Sequence, residues 1–442
     1  MNIFARVTSR GLAAVAFSVL SVCAALAQPK SLLNASTPVD WWFVFKFNAE
    51  TGPGCPGQMI PACIFGGKPG AYAEYDGPPQ WGQHYAVASK ANPTLTASDP
   101  PPGNSCVGDS LNDPIGATFS QIYNGAFFYV VWNDQFYDHP LPNRDAPWGH
   151  AKGIVAWDDS GNGVVMQVST PSWPASGSVN FKRKKDGNTL GCVTDPDVKV
   201  SQHFFALKLN KSDLIEVLKA LQNASVVTAS TAKPNKQIVK NGGPPEVQVE
   251  VKKLGVLSKN KTATMVTLST GVRLISKPSK LTVPPWQMVS ALLKPASASA
   301  GPALKTATWW LKPAIPPTET AAKPGCWDAS LPTPGPVAIV KTGTWDSEPI
   351  GLVGGNSPSG NHAKIGVIDS GGAKLSIFGD MNQQGTLVPV TPKKTKANPH
   401  PEPTCESSQN ERGGTFYVLD DEKLFDSVTS LLKGKTVPVL PH

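Results

Sequence analysis

The stretch that decides the fold is GHAKGIVAW at residues 149–157, which recurs as NHAKIGVID at residues 361–369. The two His-Ala-Lys motifs stand 212 residues apart, and an apolar run follows each of them. Such a run predicts a buried strand after each motif, at 153–157 and at 365–368. Because side chains i and i+2 of a strand point to the same face, each histidine is expected to project together with the lysine two residues later.

The similarity of the two halves extends beyond this motif. Cys192 matches Cys405 at nearly the same offset, and residues 204–223 resemble residues 415–433. Each of these segments ends in apolar residues at helical spacing, and Ser212 and Asp213 are typical helix-starting residues in the first. The two sets align as Leu214, Ile215, Leu218 and Leu221 with Leu424, Phe425, Val428 and Leu431. The chain is therefore predicted to be duplicated.

Strand and helix signals are mixed in both halves, which predicts an α/β fold of mixed α+β layers. The 40 glycines and 43 prolines among 442 residues favour strands and loops over a helical bundle. Alternating residues predict a strand at 43–47 and a further one at 247–251, between the halves. With 40% apolar and 16% charged residues, the composition excludes a disordered polyelectrolyte. We expect an N-terminal half at 28–240 and a C-terminal half at 241–442.

The first 27 residues have the pattern of a secretory signal peptide. Arg6 and Arg10 precede an apolar run, and Ala25-Leu26-Ala27 offers small residues before a cleavage site at Gln28. We therefore expect export to a periplasmic or extracellular compartment after cleavage near Ala27. No later stretch approaches 18 continuous apolar residues, which predicts a mature chain without stable membrane insertion.

Removal of this segment leaves six cysteines in an oxidising compartment, which predicts up to three disulfides of undetermined pairing. They are Cys55, Cys63, Cys106, Cys192, Cys326 and Cys405. None of their spacings is typical of a zinc site. The formal net charge is +8, with short lysine runs at 182–185, 252–261 and 393–396 that either attract a polyanion or are solvated loops.

If the two halves pack about a pseudo-twofold axis, two imidazoles and two ammonium groups meet at one point: His150, Lys152, His362 and Lys364. This set suits a phosphodiester, because ammonium groups stabilise the charge that develops on the phosphoryl oxygens. One neutral histidine can attack phosphorus while the other transfers protons, so no metal or other cofactor is required. The lysines favour neutral histidines and predict activity at acidic pH. The alternative is that both histidines only hydrogen-bond within the interface.

Several further segments make the sequence resemble deoxyribonuclease II, the metal-independent acid nuclease branch of the phospholipase D superfamily. In the first half they are VDWW at 39–42, NDQ at 133–135, GHAKG at 149–153, and GVV at 163–165 leading to STPSWP at 169–174. In the second half they are NHAK at 361–364, GDMN at 379–382 and RGGT at 412–415. The resemblance implies a pseudo-dimer of two phospholipase D-like domains, each a mixed sheet flanked by helices, with one active site between them.

The resemblance also implies endonucleolytic hydrolysis of DNA to 3′-phosphate and 5′-hydroxyl ends, through a phosphohistidine. By the family pattern, Lys152, Lys364 and Asn382 bind the scissile phosphate, with Ser172 at the position nearest to Asn382 in the first half. Asp369 matches the superfamily's acidic residue five positions after the lysine, whereas the first half has Trp157 there and Asp158 next to it. The halves are therefore unequal, which favours unequal roles for the two histidines. We expect His150 to be the nucleophile and His362 the general acid, but the sequence does not determine which histidine has which role.

Two other functions remain open from the sequence. The same fold could hydrolyse a phospholipid or another diester, although no membrane-binding amphipathic segment supports this. A non-catalytic DNA-binding protein is the second alternative, and its expected signature is loss of a histidine or lysine from one motif. All four residues are present. Strand preference, pH optimum and self-association are not determined by the sequence.

Overall fold

A computed structural model of the protein describes residues 28–48, 85–98, 107–108, 111–123, 127–135, 145–171, 200–228, 239–310, 322–357 and 359–437. The predicted signal peptide, the lysine run at 182–185 and Ser172 lie outside these residues. So do four of the six cysteines, Cys55, Cys63, Cys106 and Cys192.

The described residues form five helices and a larger number of strands, so the predicted mixed α/β fold class is confirmed. The helices are α1 (Pro114–Tyr123), α2 (Lys211–Asn223), α3 (Pro245–Val251), α4 (Pro285–Leu292) and α5 (Glu422–Leu431). The strands up to the end of α2 are β1 (Ser31–Leu32), β2 (Pro38–Val39), β3 (Trp41–Lys46), β4 (Tyr85–Ser89), β5 (Thr96–Ser98), β6 (Phe128–Asn133), β7 (Lys152–Trp157), β8 (Gly163–Val168) and β9 (Gln202–Leu209).

The later strands are β10 (Val239–Lys240), β11 (Thr264–Thr267), β12 (Arg273–Lys277), β13 (Leu304–Ala307), β14 (Val337–Ile339), β15 (Thr342–Trp345), β16 (Glu348–Gly351), β17 (Val353–Gly354), β18 (Gly360–Asn361), β19 (Ile365–Ser370), β20 (Ala373–Gly379) and β21 (Gly414–Asp420).

Two large sheets organise these strands. The first has eight strands in the order β10-β6-β7-β8-β9-β3-β4-β5, all paired antiparallel. The second has seven strands in the order β11-β12-β21-β20-β19-β13-β14, with one parallel pair, β13 and β14. The first sheet draws on residues up to Lys240 and the second begins at Thr264, while the domain boundary at 240/241 stays a prediction.

The two sheets use equivalent elements in the same order. After the first motif the chain forms β7, β8, β9 and α2, and after the second it forms β19, β20, β21 and α5. An earlier strand completes each group, since β3 pairs with β9 and β12 pairs with β21. The strands predicted after both motifs are present. The interpretation of this correspondence as a pseudo-dimer stays a prediction.

One apolar cluster joins the two sheets, with members from both sheets and from α2 and α5. At its centre Phe378 of β20 stacks on Phe43 of β3, with ring centroids 4.2 Å apart, and on Phe205 of β9 at 5.0 Å. Separate clusters cover the outer faces, one around Trp42 and Phe119 and the other around Trp286. The central strands of both sheets, such as β3, β7, β8 and β21, are therefore buried on both faces, which explains their continuous apolar runs.

The segment around 247–251 differs from the sequence-based expectation. It forms helix α3 instead of the predicted strand, and only Val247 and Val251 of it are buried. Val247 and Val251 are four residues apart and lie on one helical face, because a helix repeats every 3.6 residues. Pro245 at the first helical turn favours this start, since a proline there loses no intrahelical hydrogen bond. Alternation of valines was therefore a misleading signal for a strand.

Helix α2 begins slightly earlier than Ser212, the first of the two predicted helix-starting residues. Its N-cap is Asn210, whose side-chain oxygen accepts the Asp213 backbone N–H at 2.9 Å. Asp421 caps α5 in the same way through the Leu424 N–H at 3.1 Å. Both caps satisfy a backbone donor that lacks an intrahelical partner.

Two of the predicted disulfide cysteines, Cys326 and Cys405, have their sulfur atoms at bonding distance, with Cα atoms 5.4 Å apart. The other four lie outside the described residues, so the predicted number of disulfides stays untested. Within the described ranges, no helix is both long and apolar enough to cross a membrane.

Candidate active site

A polar pocket of about 310 Å³ opens where the two sheets meet. It is lined from the first half by the start of β7 and the end of β8, and from the second by the segments before β19 and after β20. The lining residues are Gln135, His150, Lys152, Ser169, Pro171, Trp309, Asn356, His362, Lys364, Asn382, Gln384, Ser408, Gln409 and Arg412. None of these described lining residues is acidic, so the pocket suits an anion.

His150 is held at both ends of its imidazole. Its Nδ1 lies 2.8 Å from the carbonyl oxygen of Asp380. A carbonyl only accepts, so Nδ1 carries the proton and Nε2 keeps its lone pair. Asn382 Nδ2 lies 3.5 Å from that Nε2. Burial and the nearby Lys152 ammonium hold the pKa of His150 well below its ordinary value, so the ring is neutral at neutral pH.

His362 carries a proton on Nε2, the ring nitrogen that is unprotonated in His150. Its Nε2 lies 2.9 Å from Asn356 Oδ1, which is an acceptor, so Nε2 carries a proton. The ring meets Trp309 edge-on, with centroids 4.5 Å apart. Both histidine side chains are nearly buried, with His150 7% and His362 6% exposed. The two motifs thus present one unprotonated and one protonated Nε2.

Lys152 belongs to a buried network with an aspartate and an arginine. Its Nζ lies 2.6 Å from Asp134 Oδ1, and Arg412 Nη2 lies 2.7 Å from Asp134 Oδ2. Burial alone raises the pKa of the Asp134 carboxyl, but the charges of Lys152 and Arg412 outweigh it and hold that pKa far below its usual range. Asp134 therefore stays ionised and fixes two cations at the edge of the pocket.

Lys364 and Asn382 are fixed from the second half. Lys364 Nζ donates to the carbonyl oxygen of His362 at 2.5 Å, and its backbone N–H donates to His203 Nδ1 at 3.1 Å. The backbone N–H of Asn382 donates to Gln409 Oε1 at 3.1 Å. The buried Asn382 Oδ1 has no hydrogen-bond partner among the described residues.

Asp380 lies directly behind His150. Its Oδ2 accepts from the hydroxyl and the backbone N–H of Thr415, at 2.6 and 3.0 Å. Burial raises the pKa of this carboxyl to about 7, although Thr415 and Lys152 act in the opposite direction. A neutral Asp380 below that pH leaves the charge around His150 positive.

The structure brings five of the predicted site residues to this pocket: His150, Lys152, His362, Lys364 and Asn382. Their roles stay predictions. Asp369, predicted as a supporting residue, does not join them. It lies on β19 with a 59% exposed side chain that pairs with Lys374 at 2.5 Å. The superfamily spacing therefore identifies an acidic residue that does not line this pocket, and Ser172 lies outside the described residues.

Sequence reasoning missed other residues that shape the site, chiefly Asp134, Asp380, Arg412, Asn356 and Trp309. Asp134, Asp380 and Arg412 lie inside segments quoted for the family resemblance, so the signal was available but no role was attached to them. Asn356 and Trp309 carry no signal, because neither belongs to a repeated or quoted segment. In the described part of the chain, no group of three or more His, Cys, Asp or Glu residues is arranged to hold a metal.

Two sheets that meet at a basic, histidine-containing pocket define a mixed α/β protein with a site for an anionic ligand. Residues 73–277 match the family model described as "Deoxyribonuclease II", so the predicted resemblance to that family is confirmed over this range. The matched range includes His150 and Lys152 but ends before His362.

A curated relative is "Cell-death-related nuclease 7" of Caenorhabditis elegans, which is 30% identical over 92 residues. The aligned part is 20% of this chain, and it spans only a quarter of the length of the nematode protein.

Proposed function

We propose that this protein is an endonuclease that hydrolyses DNA phosphodiester bonds in the pocket between His150 and His362, without a metal ion. The observation that carries the proposal is the paired state of the two imidazoles, one with a lone pair and the other with a proton at Nε2. The match to the deoxyribonuclease II family and the printed name of the nematode relative support a nuclease.

In this mechanism His150 is the nucleophile. Its Nε2 attacks phosphorus, a phosphorus–nitrogen bond forms, and the bond from phosphorus to the 5′ oxygen breaks. The Asp380 carbonyl keeps the proton on Nδ1, so the lone pair stays on the attacking nitrogen. Burial and the Lys152 charge hold the pKa of His150 well below its ordinary value, so the ring stays neutral to lower pH than a free histidine does.

His362 is the general acid and then the general base. In its imidazolium form it gives the Nε2 proton to the departing 5′ oxygen, which leaves as a 5′-hydroxyl, and it becomes a neutral imidazole. A water then attacks the phosphohistidine, gives its proton to His362, and restores His150 with a 3′-phosphate product. Dividing one displacement into two steps in this way lowers each barrier.

Lys152, Lys364 and Arg412 surround the position of the phosphoryl group. Asn382, whose carboxamide lies 3.5 Å from His150 Nε2, stands beside the attacked phosphorus. Fixed cations in a nearly buried pocket stabilise charge that builds on the phosphoryl oxygens more strongly than the same cations in water.

DNA is favoured over a lipid diester by the lysine runs at 252–261 and 393–396. The lysines of both runs are exposed, and such cations bind a polyanion by releasing its counterions. Cleavage of a phospholipid by the same pocket is the second candidate, and release of the lipid head group would identify it.

The test is digestion of plasmid DNA in excess EDTA between about pH 4 and pH 8, with His150→Ala and His362→Ala beside the parent protein. We expect the parent to nick the plasmid and each variant to lose activity by at least about 100-fold. End-group analysis should find 3′-phosphates. Quenching in alkali should trap DNA linked through its 3′ phosphorus to the parent protein, because a phosphorus–nitrogen bond survives base and is hydrolysed in acid.

Asp369→Asn is the matched control, because it alters a predicted residue outside the pocket and should retain parental activity. Activity abolished by EDTA, or undiminished in either histidine variant, would overturn the mechanism.

We also propose that the protein is exported after cleavage near Ala27. The pattern of Arg6, Arg10 and the apolar run supports this. N-terminal sequencing of protein recovered outside the cytoplasm should begin at Gln28, and recovery of the intact Met1 end there would contradict it.

A further inference from the structure

The backbone N–H of each pocket histidine donates a hydrogen bond to a backbone carbonyl of the other half. The His150 N–H donates to the Gly413 carbonyl oxygen at 2.8 Å, and the His362 N–H donates to the Ser201 carbonyl oxygen at 2.8 Å. Gly413 directly precedes β21, and Ser201 directly precedes β9. The position of each imidazole therefore depends on a short segment of the opposite half.

A buried lysine holds each of these segments, one residue before the accepting carbonyl. Lys46 Nζ donates to the Val200 carbonyl oxygen at 2.9 Å. Lys277 Nζ donates to the Arg412 and Asn410 carbonyl oxygens, at 2.9 and 2.8 Å.

The two lysines occupy equivalent places in the fold. Lys46 is the last residue of β3 and faces Gln202, and Lys277 is the last residue of β12 and faces Gly414. In each case the facing residue directly follows the carbonyl that holds a histidine. Two unrelated lysines would not share both a register position and a hydrogen-bonding role.

Burial of these two lysines costs free energy, because their ammonium groups lose their hydration. Lys46 is 3% exposed and Lys277 is fully buried. Burial lowers the pKa of Lys277 to about 7, with Glu411 acting in the opposite direction. An apolar side chain of the same length could fill either place without desolvating a charge, so packing alone does not explain a lysine.

The backbone around Gly413 is tightly packed. A Cβ added at Gly413 would lie 2.2 Å from the carbonyl oxygen of Ala224, and one added at Gly149 would lie 2.4 Å from the same oxygen. The backbone at Gly149, before β7, and the backbone at Gly413, before β21, therefore both pack directly on the end of α2. A small displacement of the segment would move His150 with it.

We propose that Lys46 and Lys277 are positioning residues, which hold the carbonyls of Ser201 and Gly413 where these fix His362 and His150. The inference rests on the proposed nuclease function. Lys277 acts on His150, the nucleophile, and Lys46 acts on His362, the proton donor. Each lysine thus serves a different chemical step from within the half opposite to its histidine.

The experiment compares Lys46→Met and Lys277→Met with Lys294→Met in the full chain. Lys294 is the matched control, because its Nζ also donates to backbone carbonyls, those of Pro295 and Ala298, outside the pocket. On DNA we expect both test variants to lose about 10–100-fold in kcat with little change in KM, as a displaced catalytic group would cause. Lys294→Met should retain the parental kcat.

A second substrate separates the two lysines. In thymidine 3′-(p-nitrophenyl phosphate) the leaving group departs without a proton, so His362 is not needed as an acid. In the first turnover, measured as the burst of nitrophenolate release, Lys46→Met should recover to within about threefold of the parent, because His362 is needed as a base only when water attacks the phosphohistidine. Lys277→Met should stay slow in this burst, because attack by His150 is still impaired. A merely structural defect would slow Lys46→Met equally on both substrates, and that outcome overturns the proposal.

Hydrogen exchange gives a readout that needs no activity. The amide of His150 should exchange faster in Lys277→Met, and that of His362 faster in Lys46→Met, with no change at either amide in Lys294→Met. If the parent cleaves DNA but exchange and kcat are unaltered in both test variants, the inference fails while the proposed function stands. If the parent is inactive, the proposed function fails and the exchange result still decides the positioning role. If one variant does not fold, its equivalent in the other half supplies the same test.

Discussion

At the scale of single residues, the pocket is built from buried charges that compensate one another. Asp134 is fully buried, and it holds Lys152 and Arg412 within 2.7 Å of its oxygens. Desolvating an ion costs several kcal/mol, and only short, hydrogen-bonded pairing offsets such a cost. The exposed pair of Asp369 and Lys374 has an equally short distance, but solvent screens the attraction, so the pair contributes little to the free energy of unfolding.

Asp380 gives the residue-scale prediction, which concerns the pH dependence of stability. Its pKa is about 7 in the fold and near 3.8 in an unfolded chain, so between these values the folded state binds more protons. Stability should therefore fall as pH rises through this window. Asp380→Asn mimics the neutral carboxyl and should lack this penalty, gaining about 2–4 kcal/mol over the parent from pH 4 to pH 8.

Urea denaturation of both proteins at several pH values measures this difference. Thr415→Val is a useful companion, because it removes one hydrogen bond to the carboxyl without removing the titrating group. A difference between parent and Asp380→Asn that does not vary with pH would show that Asp380 ionises normally.

At the scale of elements, the sequence predicts the strands and helices whose apolar residues have a clear period and that occur in both halves of the chain. The strands after the two motifs and the helices α2 and α5 are present where their apolar runs indicated. The segment 247–251 was wrongly predicted as a strand, because alternate valines fit a two-residue period while the helix uses only the pair four residues apart. Local alternation over five residues does not distinguish the two periods when neighbouring elements decide burial.

The caps of α2 and α5 give the element-scale prediction. Asn210→Ala and Asp421→Ala should each lower the free energy of unfolding by about 1 kcal/mol, because each leaves a backbone N–H of the first turn without its acceptor. The two losses should add in the double variant, since the helices belong to different halves. Chemical denaturation measures all three, and Asn210→Asp and Asp421→Asn serve as controls that retain a capping oxygen. A loss as large in these controls as in the alanine variants would contradict the capping role.

At the scale of the whole molecule, the shared core predicts that the two halves unfold together. Phe378 of the second sheet stacks between Phe43 and Phe205 of the first, so neither sheet keeps its inner face when the other unfolds. Phe378→Ala should lower the free energy of unfolding by about 3–5 kcal/mol, since it removes a large buried side chain.

The measurement follows urea unfolding by tryptophan fluorescence and by circular dichroism. Both signals should shift to lower urea in Phe378→Ala while remaining superimposable. Two separate transitions in the parent protein would mean that the halves are independent units.

The candidate site was accessible to sequence reasoning only where the duplication marked it. His150, Lys152, His362 and Lys364 stand in a repeated motif, and Asn382 in a segment similar to the family. Asp134 and Arg412 belong to similar segments, but their pairing with Lys152 depends on three distant parts of the chain converging. The expectation for Asp369 has a different origin, the spacing of the superfamily motif. Because side chains alternate along a strand, a residue five positions after Lys364 points to the opposite face of β19.

The hydrogen bonds that His150 and His362 each make to the opposite half have a consequence for synthesis of the chain. Synthesis proceeds from the N-terminus, so His150 is made long before Gly413, the residue whose carbonyl holds it. A chain interrupted anywhere in between carries the proposed nucleophile without its anchor. Under the proposed function, a chain that ends before Gly413 therefore does not cleave nucleic acid. Nuclease activity is expected only once the last strand, β21, has been synthesised and has paired.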